Sequence, residues 1–342
     1  MIRQIRRLTR SVPGAGPAAR ALAIYAEPAE NDRLERRPAA ESGFEGVACV
    51  DDAARAATLY CAIWDRHRFP WARTAAEGML AFVAYMQEPD GRFVNFILDW
   101  EGHKNRTGST SRAGDWPWTA RAAHALACGC RALGEGRWRE HLEAVLPWLD
   151  RPTEHLNVRA VCALAGLEGM AAGIDLRART ERWADEIAAG RTGDALLDST
   201  TTEEIHLWGH LQELALARAG VALGRSDLVA VARASAEAVL LEPARARFQE
   251  ARTTLPFDVS CTVLGLGAVG EAVRESRYTD AADLARAWFD GRNSARQPVY
   301  DRLGGLVHDG IDEGRVNENS GAESNIEGAL ALFDSLPWSS YA

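Results

Sequence analysis

Carboxylates recur in this chain at the starts of segments with helical periodicity: Asp51 and Asp52, Asp115, Glu203 and Glu204, Asp258, and Glu318 with Glu323. Glycoside hydrolysis needs two such groups, one protonated to donate to the leaving oxygen and one ionised to activate water or attack carbon. Asp51, Asp52, Glu204 and Glu323 are therefore the candidate catalytic residues, with Asp52 or Asp51 as base or nucleophile and Glu323 or Glu204 as acid. Capping would account for any single acid, because a carboxylate at a helix N-terminus accepts from free amides and complements the dipole, for about 0.3–2 kcal/mol. Ser320-x-x-Glu323 and Thr201-x-x-Glu204 have the spacing of a capping box. The adjacent Asp51 and Asp52 exceed what one cap needs, and two like charges so close raise one pKa. Arg55, one turn on, can hold one of them ionised or form an ordinary helical ion pair.

Aromatic residues accompany these acids: Phe44, Phe93, Phe96, Trp100, Trp116, Trp118, Trp208 and Phe257. Sugar rings present apolar C–H faces that stack on indoles, while polar groups fix their orientation. Trp116, Trp118 and Trp208 are the stacking candidates, although Trp116 and Trp208 could equally anchor a core. Arg55, Asp115, Glu203, Asp258, Asn317 and Asn319 are expected to contact substrate. His206 and His210 stand four apart, the spacing of a two-histidine metal site, but no His-Glu-x-x-His pattern or third ligand follows. His206 is expected to bind substrate, and neither a metal nor a cofactor is expected.

Two kinds of helical segment must position these residues. One has a narrow apolar stripe, as in Trp138, Leu142, Val145 and Leu149, and belongs on a surface; the other is apolar or small nearly all round, as in Val158 to Ala172, and must be enclosed. Enclosed helices are predicted to begin near Val50, Trp116, Leu156, Glu203, Asp258 and Ser320, and surface helices near Trp71, Arg137, Leu176, Ser226 and Thr279. Pro17 to Tyr25 would supply a sixth surface helix. Connections after enclosed helices are short and most of those leading into them are long, so the long loops would share one face, where function concentrates. The fold predicted is all-α, an (α/α)6 toroid of six helical hairpins, as a single domain over residues 1–342 with residues 1–14 a frayed basic tail. Gly265, Gly267 and Gly270 spell the dinucleotide fingerprint, but a helix follows where the fingerprint needs a second strand, so close packing is the expected role.

Composition narrows the function. Net charge is −9 with arginines scattered among acids, so no basic stripe is available for nucleic acid. No membrane partner is expected, since the longest apolar runs carry Gly or polar residues. The six cysteines sit mostly in Ala-rich helical segments and read as free thiols, which fits a cytoplasmic protein.

The segments VDDAARA (Val50 to Ala56), GRFVNFILD (Gly91 to Asp99) and NENSGAESNIEGALAL (Asn317 to Leu332) resemble the six-hairpin glycosidase superfamily, and within it a group of bacterial toroid proteins encoded beside carbohydrate enzymes. The resemblance implies a carbohydrate-facing pocket lined by Asp51, Asp52, Asn317, Asn319 and Glu323. Ala53 and Asn325 depart from the pattern, which has Asn and Thr there. The function expected is a glycoside hydrolase acting on an oligosaccharide or glycoconjugate. The alternatives are a sugar epimerase, isomerase or lyase using His206 for proton transfer at carbon, and a non-catalytic carbohydrate-binding toroid.

Overall fold

The computed structural model describes residues 1–29, 33–37, 44–114, 117–134, 136–336 and 338. Its helices alternate along the chain as α1 (Ile2–Leu8), α2 (Val50–His67), α3 (Pro70–Met86), α4 (Pro117–Leu133), α5 (Gly136–Leu149), α6 (Leu156–Ala171), α7 (Arg177–Ala189), α8 (Gln212–Leu223), α9 (Ser226–Ser235), α10 (Leu241–Ala246), α11 (Pro256–Val273), α12 (Ser276–Arg286) and α13 (Ala322–Ala331). A π turn, Ala236–Leu240, joins α9 to α10. Helices α2, α4, α6, α8, α11 and α13 each pack on the next, and α13 packs back on α2, so they form a closed inner ring. The outer ring is α3, α5, α7, the α9 to α10 segment, α12 and α1, each packed against its inner neighbour. The fold is thus an (α/α)6 toroid.

Composition explains the division. In α11 nearly every residue from Pro256 to Gly270 is buried, whereas α7 buries only Thr180, Trp183, Ala184 and Ile187. By length and apolarity α11 could cross a membrane, but here it is an enclosed member of the ring. Gly265 and Gly270 lie inside it, and a Cβ there would meet Leu240 at 2.8 Å and Thr279 at 3.0 Å. Those two glycines serve close helix packing, as expected, whereas a Cβ on Gly267 would meet nothing within 4 Å, so that glycine is not a packing requirement.

Three expectations are corrected. Residues 1–14 are not a frayed tail: Ile2, Ile5 and Leu8 form one stripe of α1, and with Val12 they are almost wholly buried. This helix, not Pro17 to Tyr25, fills the sixth outer position; the latter segment holds a short strand, Arg20–Leu22, paired antiparallel with Thr9–Ser11. The inner helix expected near Glu203 begins at Gln212 instead, because residues 201–211 form an irregular loop held by Asp198.

Short strands brace the loops on the face where the inner helices begin. Ala48–Cys49 pairs with Phe96–Ile97 in the register Ala48↔Ile97, which ties the approach to α2 to the loop before α4. Ile311–Asp312 pairs with both Thr253–Thr254 and Arg315–Val316, joining the approaches to α11 and α13. Truncating Ile5 or Leu8 to Ala is expected to cost about 2–5 kcal/mol each, measured by urea unfolding; unchanged stability would mean the N-terminal helix is not docked in solution.

Candidate functional site

The amides at the start of α2 are capped without using the paired aspartates. Cys49 Sγ accepts from the Asp52 amide at 3.4 Å, and Asn95 Oδ1 from the Asp51 amide at 3.3 Å. Both carboxylates turn instead onto Arg55. Its Nη2 donates to Asp51 Oδ2 at 2.8 Å, Asp52 Oδ1 at 2.9 Å and Glu323 Oε2 at 2.9 Å, and its Nη1 donates to Glu327 Oε1 at 3.0 Å. Arg121 of α4 grips both oxygens of Asp51. Four acids and two guanidinium groups from three inner helices thus converge on one point.

This cluster forms the floor of a cavity of about 650 Å³ at the mouth of the ring. Its walls include Tyr25, Phe44, Phe96, Trp118, Trp208 and Phe257, together with Asn95, Asn157, Asp309 and Asn317. Trp208 is half-exposed and offers an open indole face, while Trp118 is buried with Nε1 donating to the Phe93 carbonyl at 3.0 Å. Phe257 lies beneath both guanidinium groups, 5.1 Å from Arg55 Cζ and 5.4 Å from Arg121 Cζ.

The acids differ in proton affinity. Burial pushes the Asp52 carboxyl up to about 7; Arg55 opposes this, and the Asp51 and Glu323 charges reinforce it. Burial also works against the Asp51 charge, but Arg121 and Arg55 outweigh it and hold that carboxyl below its ordinary value. Burial raises Glu327 and Asp309 as well, and lifts Asp258 to about 6. The mouth therefore holds one firmly ionised carboxylate beside one that exchanges its proton near neutrality.

The sequence-predicted residues divide clearly. Asp51, Asp52, Arg55, Trp118, Trp208, Asn317 and Glu323 line the cavity. Asn319 supports it from behind, its amide donating to the Tyr25 hydroxyl. Asp258 caps α11, accepting from the Leu255 amide at 2.6 Å, so capping is what that acid does. Glu203 and Glu204 are exposed on the loop before α8 and are not among the lining residues, so Glu204 is withdrawn as a catalytic candidate and Glu203 as a substrate contact. Neither expected capping box forms: Thr202 Oγ1, not Thr201, accepts from the Glu204 amide, and Ser320 Oγ donates to the Val307 carbonyl. Asp115 and Trp116 lie outside the described residues. Of the other aromatics, Phe93 is in the core and Trp100 lines a separate surface groove.

His206 and His210 do not share a helix face. His206 is exposed, outside the cavity lining, and its ring sits against Trp208. His210 is buried between Asp198 at 2.7 Å and Glu213 at 3.1 Å; burial disfavours its charge, but these acids outweigh it and lift it to about 10, making it an anchor for the loop. Among the described residues, the donor set that could hold a metal lies elsewhere, at His124, Cys128 and Glu168. Reasoning from sequence missed Arg121, Glu327, Asp309 and Tyr25. Glu327 alone had a local signal, since it stands one helical turn beyond Glu323. The departures at Ala53 and Asn325 are structural, Ala53 being buried in the core and Asn325 bonded to Val307, Ser320 and Gly321.

Solved structures share this architecture. A sugar epimerase from a ruminal bacterium superposes with a TM-score of 0.72 at 12% identity, over 97% of this chain and 94% of that one. Cellobiose 2-epimerase from Bacillus thermoamylovorans gives 0.72 at 9% identity, over 98% and 96%. An alpha-mannanase of glycoside hydrolase family 76 from Bacteroides thetaiotaomicron gives 0.67 at 9% identity, over 99% and 94%. The likeness establishes the fold, an (α/α)6 toroid. No protein-family model matches the chain, and no curated protein sequence does.

Replacing Arg55 by Met is expected to cost about 3–5 kcal/mol, because it strands buried carboxylates without their cation. Burial already holds the Asp52 and Glu327 carboxyls above their ordinary values, and loss of that cation raises them further, so part of the loss should return as the pH is lowered and they protonate. Urea melts at pH 7 and pH 5 check both statements; a loss identical at the two values would mean that the acids do not depend on Arg55.

Proposed function

We propose that the chain is a carbohydrate-active enzyme, specifically a glycoside hydrolase that works with the mouth carboxylates. The observation that carries this reading is the pairing of Asp52, which titrates near neutrality, with ion-paired Glu323 in an aromatic-walled cavity. Asp52 is the general acid, the reverse of the role expected from sequence, because its burial favours the protonated form. Glu323, half-exposed to the cavity, is the nucleophile. Asp52 Oδ1 and Glu323 Oε2 each lie 2.9 Å from the same nitrogen, so they are no further apart than twice that, about 5.8 Å. That limit accommodates the carboxyl spacing of retaining enzymes, about 5–5.5 Å, and falls short of the about 6.5–9.5 Å of inverting ones. Trp208 supplies a stacking face, and Asn317 and Asn95 supply polar orientation.

A second reading is sugar epimerisation, favoured by likeness to the two epimerase structures and to D-mannose isomerase. His206 is outside the cavity lining, so the proton carrier at carbon would be Asp52.

A panel of short oligosaccharides and aryl glycosides separates these readings. Hydrolysis releases new reducing ends with the anomeric configuration retained, followed by proton NMR. Epimerisation releases none and carries solvent deuterium into a carbon position. Binding without turnover across the panel would leave a carbohydrate-binding toroid and overturn both.

Hydrolysis should fall as pH rises through about 7, because Asp52 must hold its proton to act. Stability has the same sign. The folded-state pKa of Asp52 lies above its ordinary value, so this carboxyl favours folding most in acid, and that contribution is lost as pH rises from the ordinary carboxylate range through about 7. Asp52→Asn should therefore abolish turnover and yet melt at a higher temperature than the parent at pH 8. A variant that keeps activity while losing stability would mark Asp52 as structural.

A further inference from the structure

A second cavity, of about 340 Å³, lies inside the ring beneath the mouth. Arg55, Arg121 and Phe257 line both spaces, so the ionic cluster is the floor of one and the roof of the other. One helical turn below Arg121 on α4 comes His124, and one turn further Cys128. Glu168 faces them from the neighbouring inner helix α6, and all three line the inner cavity. One donor atom from each, an imidazole nitrogen, the thiol sulfur and a carboxylate oxygen, lies within 4.8 Å of the other two.

These donors are lightly held, the Cys128 thiol having the Thr58 hydroxyl as a hydrogen-bond partner. His124 makes no side-chain hydrogen bond or ion pair among the described residues, and its spacing to Cys128 puts both on one helix face. Glu168 Oε2 accepts from Arg131, and its Oε1 has no hydrogen-bond partner among the described residues. Arg131 is also held by Asp65, so it keeps a counter-ion if Glu168 turns away. Thiolate, imidazole and carboxylate together suit a borderline ion, whereas magnesium and calcium take oxygen ligands. Zinc bonds of about 2.0–2.3 Å set neighbouring ligand atoms roughly 3.3–3.8 Å apart. Rotamer adjustment of about 1 Å closes the present spacing to that value. Thiolate and carboxylate would neutralise the ion, and the fourth position would open to the cavity.

We propose that His124, Cys128 and Glu168 form a binding site for a zinc-class divalent cation, which joins α4 to α6 within the ring. This site is independent of the chemistry proposed for the mouth.

The test uses the full chain, stripped of metal and kept reduced with a phosphine, titrated with Co²⁺. One equivalent should produce a thiolate-to-cobalt charge-transfer band in the near ultraviolet and tetrahedral bands in the visible, which one equivalent of Zn²⁺ bleaches; Zn²⁺ should also raise the melting temperature. Cys128→Ser should lose the charge-transfer band. His124→Gln and Glu168→Gln, which keep the thiol, should each weaken cobalt binding by more than roughly tenfold, the loss that altering even an outer hydrogen-bond partner of a ligand brings. Metal-free melting curves of the variants establish that they fold, and the two Gln variants decide the matter if Cys128→Ser does not. No charge-transfer band in the parent, binding unchanged in the Gln variants, or a band that survives Cys128→Ser and disappears in Cys130→Ser would each overturn the assignment.

Discussion

One guanidinium holds the ring together where its ends meet. Arg55 stands on the first inner helix and reaches Glu323 and Glu327 on the last, across the seam at which α2 packs on α13. Its own helix contributes Asp51 and Asp52, and Asp51 in turn engages Arg121 from the next inner helix. Burying charges is costly unless each is paired, so the orientation of these carboxylates supports closure of the seam alongside its apolar packing. Site geometry and ring closure share these contacts. Burial raises the proton affinity of both aspartates and the uneven sharing separates them: Asp51 has two cations that outweigh its burial, while Asp52 shares one with three rivals.

Much of the architecture was legible because enclosed and surface helices have different periodicities. The starts of α2 and α6 fall where the pattern places them, and those of α4, α11 and α13 within about two residues. The reading failed where polarity and spacing were ambiguous. In residues 201–211 acids, histidines and apolar residues alternate in a way compatible with a helix start, but Asp198 draws the His206 amide and the His210 ring into an irregular loop. At the N-terminus, four arginines among the first ten residues suggested a solvated tail, and the stripe Ile2, Ile5, Leu8 was too short to stand out.

The candidate site was legible in part. Adjacent aspartates followed by an arginine one turn on form a local signal, and Asp51, Asp52 and Arg55 are indeed in mutual contact. Glu323 was visible as an acid at a helix start. Arg121 and Asp309 belong to the site only through pairings far apart in the chain, which periodicity does not encode. Acids at helix starts are also not equivalent: Asp258 bonds back to the Leu255 amide, while Asp51 and Asp52 are released from that duty by Cys49 and Asn95.

The outermost helix of the sixth hairpin comes from the first residues of the chain, and its inner partner from among the last. During synthesis Ile2, Ile5 and Leu8 precede residues 322–331, and their apolar stripe finds its seat only against that later helix. Until that late helix leaves the ribosome, Arg55 faces a gap on the side where Glu323 and Glu327 will stand. Closing the ring therefore joins contacts some three hundred residues apart, the kind of long-range closure that slows folding.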